Sequence, residues 1–63
     1  MSITEQAHQL GALTIVEAAR RLEVEGVELI QAMRERRIRY VMVQGIAHIP
    51  EDALDEYRAL RSQ

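Results

Sequence analysis

Four arginines fall within six positions: Arg34, Arg36, Arg37 and Arg39. A guanidinium is a planar fork of donors that stays charged at physiological pH, so a cluster this dense suits phosphate oxygens. Arg20 and Arg21 stand upstream and can extend such a clamp. A plainer reading competes with this one. Arginines at a helix end and in the loop after it are often simply solvated and favoured by the helix dipole. Arg58 and Arg61 have a different role, offsetting Asp55 or Glu56 along one helix.

Other chemistry has little material. No serine–histidine–aspartate set, phosphate loop or metal-binding pair stands out. His8 and His48 are far apart and lack recognisable partners. Glu51 and Asp52 suit a helix N-terminus better than acid–base work. With no cysteine there is no disulfide and no thiolate ligand. Neither a metal nor a cofactor is expected, and 63 residues leave little room for an enzyme's pocket. The net charge of −2 weighs against a general polyanion binder. Charge is uneven, however. The basic cluster is balanced by an acidic one, Glu51, Asp52, Asp55 and Glu56.

A chain of 63 residues holds one small core. It buries only about 60 % of the surface its unfolded form exposes, so regular packing or self-association must supply stability. No apolar run approaches the roughly 20 residues of a membrane span. The first ten residues lack the basic start and apolar block of a signal peptide, so a cytoplasmic protein is expected.

The elements that must hold these residues read as follows. Ser2 and Glu5 have capping-box spacing, and Ile3, Ala7 and Leu10 share a helix face, giving a short N-terminal helix that stops at Gly11. Thr14 and Glu17 form a second capping box, so the next helix starts at Ile15, with Leu13 stapling onto Ala18. Ile15, Ala18, Ala19 and Leu22 make its buried stripe. Val24 plugs a tight turn, and a helix beginning at Glu25 or Gly26 follows, with Leu29 or Ile30 and Met33 on its apolar face. From Ile38 the pattern changes to period two. Gln44-Gly45 sits at two-residue hairpin spacing, and Pro50 takes the first position of a last helix carrying Ala53, Leu54, Tyr57 and Leu60. The expected core is Ile15, Ala18, Leu22, Val24, Ile30, Met33, Val41, Val43, Ile49, Leu54 and Tyr57. The fold class is mainly α with a two-stranded β-hairpin. Residues 1–12 form an N-terminal helical extension and residues 13–60 the domain.

This order resembles the winged helix-turn-helix domain of excisionases and MerR-type DNA-binding proteins. Leu13, Thr14, Glu17, Ala18, Ala19 and Leu22 match its opening pattern, and Val24 matches the apolar turn residue. Ile49, Pro50, Ala53, Leu54 and Tyr57 match its closing pattern, with no insertion between the blocks. The resemblance implies that the second helix enters the DNA major groove and that the hairpin wing reaches the adjacent backbone. The sequence departs from the family at both places. Glu25, Gly26, Val27 and Glu28 stand where polar or basic residues begin that helix, and Gln31 holds the mid-helix position. Met42, Ile46 and His48 replace wing arginines.

Two functions follow. In the first the chain binds double-stranded DNA through Arg20, Gln31, Arg34, Arg36, Arg37 and Arg39, as an excisionase or small regulator. Self-association as a dimer or head-to-tail array then supplies affinity. Tyr40, Met42, Ile46 and His48, alternating onto one outward face of the hairpin opposite Val41, Val43, Ala47 and Ile49, are the expected contact. In the second the same scaffold has lost DNA and engages another protein. The apolar face also has a structural explanation, in which the N-terminal helix covers it.

Overall fold

A computed structural model describes Ile3, Glu5, His8 and residues 11–62. Ile3, Glu5 and His8 have helical backbone. The Ser2 cap and the Ala7 and Leu10 face positions lie outside the described residues. The elements among residues 11–62 are β1 (Ala12–Thr14), α1 (Ile15–Leu22), α2 (Gly26–Arg34), β2 (Val41–Val43), β3 (Ile46–Pro50) and α3 (Glu51–Arg61). From residue 12 on, the described residues form three helices and a three-stranded antiparallel sheet, order β1-β3-β2. That corrects the expectation of a two-stranded hairpin alone. Ala-Leu-Thr is too short for a period-two signal, and its pairing with β3 is a long-range contact. Ala12 pairs with Pro50 in that sheet.

α1 begins where its cap predicts. Thr14 Oγ1 accepts from the Glu17 amide at 3.1 Å, and Glu17 Oε1 accepts from the Thr14 amide at 3.1 Å. His8 Nε2 adds a bond to the same carboxylate at 2.9 Å, tying the N-terminal segment to the start of α1. That bond first, and the Thr14 amide second, hold the Glu17 carboxyl down at about 2. A depressed folded-state value means the contribution is complete above the ordinary carboxyl value of 4.5 and is lost as pH falls toward about 2. Glu17 is 36 % exposed, so solvent screening limits its contribution to about 1 kcal/mol. Acid titration of stability should show that loss between about pH 4.5 and 2 in the wild type. A Glu17→Gln variant should lack it, and an unchanged acid profile in that variant would contradict this assignment.

Each helix end is closed by backbone. Glu23 takes φ 57°, and the Val24 amide donates to the Ala19 carbonyl at 3.0 Å. Arg36 takes φ 58°, and the Arg37 amide donates to the Ala32 carbonyl at 2.8 Å. Both are 6→1 closures around a left-handed residue, a position usually held by glycine. Val24 packs against the core as its turn position predicts. Gln44 and Gly45, at φ 51° and 81°, form the two-residue turn that joins β2 to β3. Pro50 is the N-cap of α3, one residue before the expected position.

The main core joins Leu13, Ala18, Ala19, Leu22, Leu29, Ala32, Ile38, Ile49, Ala53, Leu54 and Tyr57, with Ile15, Val24 and Met33 at its margin. Small alanines at positions 18, 19 and 32 let α1 and α2 approach closely. Two expected core residues are corrected. Ile30 is 43 % and Val41 41 % exposed. Leu29 takes the core position on α2 because the three-residue turn sets the helix phase, which sequence spacing left open. A second small cluster, Ala12 and Val43 with Ile3 against them, covers part of the opposite sheet face. No described helix is long and apolar enough to cross a membrane.

Candidate nucleic-acid interface

The arginine cluster is brought to the end of α2 and the segment leading into the hairpin, but its members are not equivalent. Arg37 Nε donates to Glu35 Oε1 at 2.7 Å. Arg39 bridges Asp52 and Glu56, one turn apart on α3, at 3.2 and 2.5 Å. Those two carboxylates raise the Arg39 guanidinium further above its ordinary value, Glu56 contributing most. Gln31 Nε2 donates to Glu35 Oε2 at 3.0 Å. That bond, then Arg37, lowers the Glu35 carboxyl. Gln31, Arg37 and Arg39 thus already hold carboxylates. Arg20, Arg34 and Arg36 are exposed and have no ion-pair partner among the described residues.

Arg34 and Arg36 face a cavity of about 550 Å³ between the end of α2 and the strand of the hairpin that follows it. Met33, Ile38, Tyr40, Val41 and Pro50 provide its apolar wall, and Arg39 its third cation. Arg36 enters it from a left-handed backbone, which costs a non-glycine residue roughly 1–2 kcal/mol. Sequence spacing showed the cluster. It did not show that ion pairs to α3 and Glu35 divide it.

The start of α2 is acidic, as its sequence reads. Glu25 is the N-cap without a side-chain cap bond. Glu28 Oε2 lies 3.5 Å from Arg61 Nε, but that oxygen is shielded and accepts no hydrogen bond. Arg58 pairs with Asp55 at 3.5 Å, as its spacing predicts, whereas Arg61 reaches across to Glu28 instead of pairing along α3.

The expected hairpin strip is redrawn. β2 and β3 pair Val43 with Ile46, Met42 with Ala47 and Val41 with His48. Directly paired residues share a face. Val41, Val43, Ile46 and His48 therefore lie on one side, and Met42 and Ala47 on the other. A two-residue loop sets residue i against i+3, which reverses odd and even across the turn, while the expected strip kept them. His48 is not at a surface. It is 1 % exposed, and its Nδ1–H donates to the Ile46 carbonyl at 2.8 Å. Tyr40, Met42 and Ile46 are exposed, but they do not form one strip with His48. The burial of His48 and Val43 agrees in part with the reading in which both sheet faces are covered.

Comparison with protein-family models, with curated proteins and with solved structures finds no match to this chain.

Proposed function

We propose that this protein is a winged helix-turn-helix DNA-binding domain of the excisionase or MerR type, with α1 and α2 as the helix pair and the β2–β3 hairpin as the wing. The short turn at Glu23 to Glu25, and a hairpin anchored through β3 to the strand that leads into α1, support that architecture. The observation that carries the DNA reading is the pair of unengaged arginines, Arg34 and Arg36, at the junction of α2 and the wing. Phosphate oxygens entering there meet two guanidinium groups that need not first surrender a carboxylate. Arg20 adds a third such cation on α1. Arg37, Arg39 and Gln31 contribute less, because binding must break their existing bonds. A domain with so few free cations binds weakly alone, and copies assembled along DNA through the exposed Tyr40, Met42 and Ile46 would supply the remaining affinity.

The test is the salt dependence of binding to duplexes of unrelated sequence. The Arg34→Ala/Arg36→Ala variant should lower the slope of log K against log salt by roughly 2, equally for every sequence. Arg37→Ala should lower it by less than about 1. Absence of wild-type binding at low salt, or an unchanged slope in the double variant, would remove this function. The neutral hairpin and the apolar residues exposed on α2 support the second reading, in which the same scaffold binds protein.

A further inference from the structure

α2 presents an unusual outward face. Val27 is 68 % exposed and Ile30, one turn on, 43 %, while Leu29 and Ala32 fill the core behind them. Arg34 continues the same stripe toward the hairpin. Exposed charges without ion-pair partners among the described residues stand at both ends. Glu23 and Glu25 precede the helix, and Arg34 and Arg36 close it. The helix is nine residues, about 13 Å, long. An apolar centre with acid at one end and base at the other is complementary to itself when turned end for end.

We infer that two copies of this chain pair through α2, antiparallel about a twofold axis. Ile30 meets Ile30 of the second copy near the axis. Val27 covers the aliphatic stem of Arg34 of the second copy, and Glu25 faces Arg36 of the second copy. The twofold makes each contact twice, as a closed isologous interface requires. The antiparallel direction also sets opposite helix-dipole ends together. Charge complementarity selects a second copy over an unrelated partner, because Glu25 and Arg36, neither with an ion-pair partner among the described residues, satisfy each other twice about the axis. One short helix face supplies well under the roughly 800 Å² per partner of a standard interface, so the dimer is weak, with a dissociation constant on the order of 10⁻⁴ M. Pairing does not depend on DNA binding. Where both occur they exclude each other, since the paired face includes Gln31 and Arg34.

Sedimentation equilibrium of the intact chain without nucleic acid, from about 10 μM to about 1 mM, reads this directly. Wild type should approach the dimer mass over that range. Glu25→Arg and Arg36→Glu should each raise the dissociation constant about tenfold, and the Glu25→Arg/Arg36→Glu double variant should return it to within about threefold of wild type. Circular dichroism and melting check that each variant is folded. If one is not, Glu25→Gln and Arg36→Gln take their place, and each should weaken association several-fold. A wild type that stays monomeric throughout, a double variant as weak as the singles, or neutral variants with no effect overturns the proposal. Because no DNA is present, none of these outcomes bears on the phosphate-binding reading.

Discussion

Leu54→Ala should cost about 2–5 kcal/mol and lower the melting temperature by more than about 10 °C. Leu54 is 2 % exposed and sits in the main core with Leu13, Leu22 and Ile49. Removing its side chain loses both the transfer energy of the buried methyl groups and the contacts of the atoms that lined it. The surrounding elements are pinned by the α1 cap, the sheet and the Arg39 bridge, so the space cannot fully collapse. A domain of this length has roughly 3–9 kcal/mol of total stability, so much of the variant should be unfolded at room temperature. Leu22→Ala, on the facing side of the same core, should behave alike. Chemical denaturation is the measurement. A midpoint close to wild type in either variant would mean that the helices are wrongly phased.

The second large effect separates two neighbours. Leu29→Ala should cost about 2–5 kcal/mol, whereas Ile30→Ala should stay within about 0.5 kcal/mol of wild type in dilute solution. Leu29 is 0 % exposed and belongs to the main core on the helix that packs against α1, while Ile30 is 43 % exposed. Alanine is also the better helix former, which offsets what little packing Ile30 loses. Equal losses at the two positions would place α2 in a different rotation and would remove both the groove arginines and the α2 stripe from where they now stand.

What the sequence determined unaided is local. The Thr14–Glu17 capping box placed the start of α1 to the residue, because both of its hydrogen bonds close within four positions. Gln44-Gly45 placed the hairpin turn, and the acidic start and basic end of α2 are plain from residue order. Three things needed the tertiary structure. β1 exists only because Ala12 to Thr14 meet β3, more than 30 residues away. The choice of Leu29 over Ile30 depends on how the turn at Glu23 aims α2, and a nine-residue helix shows too little periodicity to decide it. The arginine cluster looked uniform along the chain, yet α3 brings Asp52 and Glu56 to Arg39, while Arg36 has no ion-pair partner among the described residues. Ion pairs between distant elements are set by geometry that residue spacing does not contain. That is why the residues of the candidate site were legible in the sequence and their division into engaged and available cations was not.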